Sequence, residues 1–161
     1  MSPATGARSS RGAWARAGLV LAAVLAADQG VKAFVTSSLA RGEERDLVAF
    51  VKLVNTRNTG VAFGQLQNGG AIVTVVIAIA IGALLLYFAR HAAQRLMWLP
   101  TGMLLGGALG NIVDRIREGA VVDFLKLPHW PAFNLADASI TVGVVILLVV
   151  IERGDRAPAA A

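Results

Sequence analysis

The sequence predicts an all-α polytopic membrane protein, with four transmembrane helices and a small extracytoplasmic β-rich segment between helices 1 and 2. Of its 161 residues, 56% are hydrophobic, and the mean hydropathy is +0.65. The apolar residues are grouped in blocks, and a block of about 20 residues is what a helix needs to cross a bilayer. Alanine and glycine are abundant, as is typical of helices that pack closely in lipid.

Four apolar blocks are the predicted spans of a single integral membrane domain, residues 1–161. They cover residues 13–35, 69–89, 96–113 and 133–151. The first block could instead be a cleaved signal peptide, because arginines precede its apolar run and small residues lie near its end. Apolar sequence resumes directly after Lys32, however, and this favours a span that is retained.

The N-terminal tail predicts the orientation of the spans, because basic residues concentrate on the cytoplasmic side of a membrane. This tail carries Arg8, Arg11 and Arg16 and no acidic residue. With four spans, the loop at residues 90–95 and the C-terminal tail lie on the same side as the N-terminus. Both termini are therefore expected in the cytoplasm.

The segment "RDLVAFVKLVNTRNTGVAFG", residues 45–64, is the predicted β-rich segment at the outer membrane surface. It reads as two strands, residues 47–54 and 61–64, joined by a turn in Asn-Thr-Arg-Asn-Thr-Gly. Both strands are too apolar on both faces for a solvated hairpin. Contact with lipid, substrate or the helical bundle is therefore expected.

The third span carries three glycines at a spacing of four residues. Gly102, Gly106 and Gly110 lie on one helical face, where a neighbouring backbone can approach closely. We interpret this face as a packing surface.

Composition excludes two classes of site. The chain has no cysteine, which excludes disulfides and thiolate metal sites. Its net charge of +5 is spread over loops and tails without a dense basic stripe, so nucleic acid binding is not predicted.

Ionisable residues within or beside spans are rare and tend to be functional. Asp28 and Lys32 are four residues apart and can pair on one helical face, so a structural salt bridge is the favoured role for them. Asn111, Asp114 and Arg115 cluster at the outer end of the third span. The last two could instead mark the interface or brace the following loop.

Asp123 and Asp137 are the strongest candidates for chemistry. Both stand in apolar surroundings, and the intervening segment contains Pro128 and Pro131, which can fold it back on itself. Two carboxylates in a low-dielectric site share a proton, so that one activates a water while the other polarises a carbonyl. This is the chemistry of aspartic proteases.

Two other interpretations of these aspartates stay open. Asn134 and Asp137 have the spacing of a capping box, which would make Asp137 a residue that caps the fourth helix. A metal site formed by Asp123, His129 and Asp137 is the other alternative, although spacings of six and eight match no known ligand motif.

Five stretches of the chain together resemble the signal peptidase II (lipoprotein signal peptidase) family. They are "DQGVK" (28–32), "NTGVAF" (58–63), "GGALGNIVDR" (106–115), "VVDF" (121–124) and "FNLADASITVG" (133–143). Each lies at the end of a span, in the family's order, and together they extend over nearly the whole chain. One such stretch is weak, whereas five in order are highly specific.

The resemblance implies an aspartic endopeptidase that cleaves prolipoproteins on the N-terminal side of a diacylglyceryl-modified cysteine. Asp123 and Asp137 match the family's catalytic aspartates. The positions that the family uses to shape or support the site are matched by Asp28, Lys32, Asn58, Gly60, Asn111, Asp114, Arg115 and Asn134. The expected location is the bacterial inner membrane, with the site near the extracytoplasmic face. The expected partners are lipid-modified prolipoproteins and membrane lipid, for a monomer without metal or cofactor.

Two residues depart from the family's pattern. Ala138 stands where many members have a serine directly after the aspartate, which puts one supporting hydrogen bond in doubt. Arg57 occupies a place often taken by an aromatic or aliphatic residue, where it could contact lipid headgroups or substrate.

Two functions from other classes compete with proteolysis. A small ion-coupled transporter could use the four acids Asp28, Asp114, Asp123 and Asp137 as a cation path, although all four collect at one end of the spans. A purely structural membrane subunit is the second alternative.

Overall fold

A computed structural model describes residues 3–59 and 69–155. It contains four helices and three strands in these ranges. The helices are α1 (Pro3–Ser38), α2 (Gly69–His91), α3 (Trp98–Glu118) and α4 (Leu135–Asp155), and the strands are β1 (Glu44–Val48), β2 (Val51–Asn58) and β3 (Val121–Lys126).

A helix is present at each of the four predicted spans, and the differences lie at the helix ends. Hydropathy detects the apolar part of a helix and not the polar turns that continue it. The third span was predicted to stop at residue 113, yet α3 continues to Glu118. It ends there because Gly119 adopts a left-handed backbone conformation (φ 71°), and its N–H donates to the carbonyl oxygen of Arg115.

Helix α3 is the centre of the bundle, since it contacts the other three helices. A Cβ added at Gly102 would lie 2.6 Å from the Ala17 carbonyl oxygen of α1, and one at Gly106 would lie 2.8 Å from that of Leu21. The predicted packing face is therefore confirmed, and it shows that α1 and α3 run parallel. On another face of α3, a Cβ at Gly107 would meet the Ala136 carbonyl oxygen of α4 at 2.6 Å.

We expect Gly106→Ala to destabilise the bundle by about 1–3 kcal/mol, because the new methyl group forces α1 away from α3. The measurement is the thermal unfolding midpoint in detergent. Gly18→Ala is the matched control, since a Cβ there meets nothing within 4 Å. Alanine in this exposed helical position should stabilise slightly. Equal midpoints for the two variants would contradict the close approach of α1 and α3.

Two helices in the described ranges are long and apolar enough to cross a membrane by themselves. They cover Ser10–Ser38 and Leu135–Arg153, and a shorter apolar stretch covers Val75–His91. Helix α3 is less apolar because it buries the polar side chains of Thr101, Asn111 and Asp114 against its neighbours.

The three strands form one antiparallel sheet in the order β1-β2-β3. It lies beside the last turns of α1 and α3 and the first turn of α4, which we call the sheet end of the bundle. The predicted turn in this segment is wrong. The chain reverses at Ala49 and Phe50, with Ala49 at a positive φ of 47°, and residues 55–58 belong to β2. The second predicted strand, residues 61–64, lies outside the described residues.

A β-bulge interrupts the pairing of β2 with β3. Leu53 pairs with Leu125, and the next pair is Thr56 with Asp123, so β2 holds one extra residue between them. Val54 and Asn55 are consequently both buried, which an unbroken alternation would not allow. Strand β3 itself was not predicted, and the sheet is therefore not confined to the segment between the first two helices.

Candidate active site

Asp123 lies in the middle of β3 and is only 1% exposed. Its Oδ2 accepts a hydrogen bond from Asn58 Nδ2 at 3.0 Å, and its Oδ1 accepts one from Asn134 Nδ2 at 2.8 Å. Burial is the main reason that the pKa of Asp123 is raised to about 6, and the negative charge of Asp137 adds to the effect. The two asparagines and Lys32 act in the opposite direction.

Asp137 lies in the first turn of α4, and the predicted capping box is present. Asn134 Oδ1 accepts from the Asp137 backbone N–H at 2.8 Å, and Asp137 Oδ2 accepts from the Asn134 backbone N–H at 3.3 Å. Capping occupies one carboxylate oxygen only, because Oδ1 accepts from Asn111 Nδ2 at 2.8 Å. The capping and catalytic interpretations of Asp137 are therefore compatible.

Two asparagines connect the two carboxylates. Asn134 donates to Asp123 and also to Asn111 Oδ1, at 3.1 Å. Asn111 in turn donates to Asp137. A chain of hydrogen bonds thus runs from β3 through α4 and α3 to the second carboxylate.

Lys32 is buried next to these hydrogen-bonded side chains and is 3% exposed. Its Nζ is 2.7 Å from Asp28 Oδ2, 2.7 Å from Asp114 Oδ2 and 3.2 Å from Asn111 Oδ1. These three partners match the three N–H groups of an ammonium ion. The predicted salt bridge of Asp28 with Lys32 is confirmed, and Asp114 is a second partner that spacing did not predict.

The two acids beside Lys32 also hold backbone next to the candidate pair. Asp28 Oδ1 accepts from the Ala136 N–H in the first turn of α4 at 2.9 Å. Asp114 Oδ2 accepts from the Val122 N–H, directly before Asp123, at 3.1 Å. Both acids therefore support the positions of the elements that carry the site.

Gln29 also binds to this cluster, although neither its residue type nor its spacing predicted it. Its Nε2 donates to Asp114 Oδ1 at 2.9 Å and to the Gly110 carbonyl oxygen at 3.2 Å. Its place inside "DQGVK", between two site residues, was the available signal.

Two predicted site residues remain, Arg115 and Gly60. Arg115 donates from Nη1 to the Asn111 carbonyl oxygen at 3.2 Å, and its buried Nε has no hydrogen-bond partner in the described part of the chain. Gly60 lies outside the described residues.

His129 does not join the aspartates in a metal cluster. It is exposed, in a turn with a positive φ of 60°. Within residues 3–59 and 69–155, no group of three or more histidine, cysteine, aspartate or glutamate side chains could hold a metal ion.

The two departures from the family's pattern have structural consequences. Arg57 is only 14% exposed and pairs with Glu118 at 2.6 Å, so its contact is within the protein. Ser139, which follows Ala138, donates to the Met103 carbonyl oxygen of α3 at 3.1 Å. The serine therefore fastens α4 to α3 and does not replace a hydroxyl beside Asp137.

This arrangement can carry out hydrolysis by proton transfer. Two carboxylates from different elements lie in one hydrogen-bonded cluster, and their environments differ. Asp123 is almost fully buried in β3, whereas Asp137 is partly exposed in the first turn of α4. Such a difference separates the roles of acid and base.

Comparison with protein families gives a match over most of the chain. A model described as signal peptidase (SPase) II matches residues 20–152. The chain is similar to the lipoprotein signal peptidase of Halothermothrix orenii, with 37% identity over 139 residues, which are 86% of this chain and 96% of the relative. It is 44% identical over 133 residues to the lipoprotein signal peptidase of Burkholderia thailandensis, covering 78% and 80% of the two chains.

Two solved structures have a similar fold. Both are described as bacterial membrane enzymes determined by the in meso method, at 1.9 and 2.3 Å resolution. The first has a TM-score of 0.79 and 29% identity, and covers 84% of this chain and 91% of its own. The second has a TM-score of 0.78 and 28% identity, and covers 90% and 93%.

Proposed function

The chain belongs to the signal peptidase II family, and from this premise we propose that Asp123 and Asp137 are its catalytic pair. The protein is a membrane-embedded aspartic endopeptidase that removes the signal peptide from prolipoproteins. It cleaves on the N-terminal side of the diacylglyceryl-modified cysteine. The observation that carries the catalytic assignment is the hydrogen-bonded chain that joins Asp123 to Asp137 through Asn134 and Asn111.

In the proposed mechanism, Asp137 is the base and Asp123 is the acid. Asp137 takes a proton from a water as the water oxygen attacks the scissile carbonyl carbon. Protonated Asp123 donates a hydrogen bond to the carbonyl oxygen, where negative charge develops. The C–N bond then breaks, and the proton on Asp137 passes to the leaving amine of the cysteine.

Two features support this division of roles. Burial raises the pKa of Asp123, so Asp123 holds a proton more readily than an ordinary aspartate. Asp137 accepts from the amide of Asn111, whose oxygen faces the ammonium of Lys32. A cation at the amide oxygen fixes the orientation of the amide, so that its N–H group stays directed at Asp137 Oδ1.

The pH dependence follows from these roles. Because the pKa of Asp123 is about 6, the required proton is present below that pH and is lost above it. We expect kcat/KM to fall as the pH rises through this value, measured with detergent-solubilised enzyme. Asn58→Ala removes a hydrogen bond that lowers the pKa of Asp123, so its alkaline limb should lie at higher pH. A rise in kcat/KM through the same interval would contradict the assignment of Asp123 as the acid.

We also propose four membrane spans with both termini in the cytoplasm. Helices α1 and α3 run parallel. Ala136 of α4 lies beside Gly107 of α3, and Ser139, further along α4, bonds to Met103, which is earlier in α3. Helix α4 therefore runs antiparallel to α3. Phe88 near the end of α2 packs with Ala13 near the start of α1 and with Val150 near the end of α4. This up-down arrangement and the acid-free basic tail support the orientation, with the sheet end extracytoplasmic.

An apolar cavity supports recognition of lipid and of the signal peptide helix. It has a volume of about 520 Å³ and lies between α2, α3 and α4. Its walls include Ile77, Leu84, Leu104, Ile140 and Leu147. Hydrocarbon from acyl chains or from the apolar helix of a signal peptide fits such walls by shape and hydrophobicity alone. We also propose that the protein works as a monomer, because Asp123, Asp137 and the two asparagines that join them belong to one chain.

The test of this function uses purified protein and a diacylglyceryl-modified prolipoprotein in detergent. We expect mass spectrometry to detect the released signal peptide and a mature product that begins with the modified cysteine. The same prolipoprotein without the lipid is the matched control and should be cleaved poorly. Equal cleavage of both would contradict lipid recognition, and no cleavage of either would contradict the proposed function.

A further inference from the structure

Arg57 joins the end of β2 to the end of α3. Its Nε is 2.6 Å from Glu118 Oε2, and its Nη1 donates to Asn55 Oδ1 at 2.7 Å. The Arg57 side chain is 14% exposed and the Glu118 side chain is 41% exposed, so solvent screens this pair mainly from the glutamate side. Arg57 therefore has two fixed partners and little freedom to move.

Asn55, which bonds to Arg57, connects the end of β2 to α1. It is 3% exposed, and its Nδ2 donates to the Leu39 carbonyl oxygen, just beyond the end of α1, at 2.8 Å. The bulge before Thr56 turns Asn55 inward, and Asn55 and Arg57 share a face of the strand. The last residues of β2 are thus tied to the ends of both parallel helices.

The opposite face of β2 faces the candidate pair. Thr56 is directly opposite Asp123 in the sheet register, and Asn58 donates to Asp123. Asn58 is also the last residue of the strand. The position of Asn58 beside Asp123 therefore depends on the contacts that hold the last residues of β2.

The last position of a helix is electrostatically unfavourable for a glutamate, and Glu118 occupies this position in α3. A carboxylate at a helix C-terminus meets the negative end of the helix dipole, and Glu118 is the last residue of α3. Its ion pair with Arg57 offsets that unfavourable placement. The pairing is therefore a specific interaction between β2 and α3.

We propose that Arg57 is a positioning residue, whose ion pair with Glu118 holds the end of β2 so that Asn58 stays hydrogen-bonded to Asp123. Arg57 acts through Asn58 and does not touch the catalytic carboxylates. The inference rests on the proposed function, because it assigns Asp123 to catalysis. The proposal adds Arg57, which lies on the face of β2 opposite to Asn58, to the residues that support the site.

The test is Arg57→Leu, measured by kcat/KM against pH on lipid-modified prolipoprotein. We expect kcat to fall at least about tenfold, because small displacements at a catalytic group are costly. The alkaline limb should move to higher pH, since Asn58 no longer lowers the pKa of Asp123. A loss of folding alone would reduce the amount of active enzyme without moving this limb.

Two further variants test whether Arg57 acts through its partners. The exchange Arg57→Glu with Glu118→Arg restores an ion pair and should recover a large part of the loss. In an Asn58→Ala background, Arg57→Leu should give no further shift of the limb. A further shift there, or failure of the exchange in a folded protein, would overturn the proposal.

The matched control is Arg45→Leu. Arg45 also pairs with a glutamate, Glu43 at 2.8 Å, but on the exposed strand β1. It should leave the pH profile unchanged, and a shift equal to that of Arg57→Leu would overturn the proposal. Titration of the Asp123 carboxyl carbon by 13C NMR gives the same comparison without cleavage, so failure of this inference is distinguishable from failure of the proposed function.

Discussion

Asp123→Asn and Asp137→Asn should each yield a folded protein that cleaves lipid-modified prolipoprotein at least about 10²-fold more slowly than the wild type. An amide can neither take the proton of a water nor supply the proton of an acid. The two aspartates have different roles, so one cannot substitute for the other. The measurement is the rate of signal peptide release at equal concentrations of folded enzyme.

Both variants should fold, because asparagine can keep much of the hydrogen bonding. At residue 137, the capping bond from the backbone N–H to Asn134 Oδ1 does not involve the side chain that changes. We therefore expect a stability loss of about 1 kcal/mol or less there. At residue 123, an amide nitrogen would face a donor from Asn58 or Asn134. The new amide can keep its oxygen toward Asn134 and turn its nitrogen toward Asn58, whose amide can rotate to present oxygen.

Asp46→Asn is the matched control for both substitutions. Asp46 is exposed on β1, opposite Lys52 in the sheet register, and the same isosteric change should leave the rate unaffected. If Asp137→Asn cleaved near the wild-type rate, capping would be the whole role of Asp137, and the catalytic pair would be wrong. Unchanged cleavage by both variants would show that neither aspartate is catalytic.

The helices could be predicted because the signal for a span is local. Each apolar block reports its own burial in lipid, so a helix was expected in the right place even where its ends were not. Gly102 and Gly106 were predictable for the same reason, since their spacing defines one face of one helix. The partner of that face, α1, required the structure.

The sheet was less predictable because pairing between strands depends on distant residues. The polar run Asn-Thr-Arg-Asn resembles a turn, yet Asn55, Arg57 and Asn58 are polar because they bind helix ends and the carboxylate of Asp123. Strand β3 is short and follows directly after a helix. Val121, Val122 and Phe124 favour an extended conformation, but the partner of β3 is β2, more than 60 residues earlier, and a local pattern does not predict such a pairing.

The candidate site shows the same division. Motif likeness predicted which residues form the site, and the i, i+4 spacing predicted the contact of Asp28 with Lys32. Spacing could not predict the bond of Asn111 to Asp137, or the salt bridge of Lys32 with Asp114, since each joins two helices. Such contacts depend on how α1, α3 and α4 pack.

Lys32→Met should be the most destabilising single substitution in this cluster, with a loss of about 3–5 kcal/mol. Methionine fills similar space but leaves Asp28 and Asp114 buried together without the cation that lies 2.7 Å from each. Removing one partner of a buried ion cluster leaves charge without compensation, which costs more than the cluster contributes. The thermal unfolding midpoint in detergent should fall by roughly 10 °C or more.

Removing the uncompensated charge should reverse most of this loss. Adding Asp28→Asn and Asp114→Asn to Lys32→Met leaves no buried charge in the cluster, so the midpoint should recover toward that of the wild type. Cleavage should stay low, because Asn111 loses the ammonium that holds its amide oriented toward Asp137. Lys126→Met is the matched control, since that lysine is exposed in the sheet and pairs with Glu44. Its loss should change stability by no more than about 0.5 kcal/mol. If Lys32→Met unfolded at the same temperature as Lys126→Met, the buried cluster would not be a source of stability, and its role would lie in the orientation of Asn111 alone.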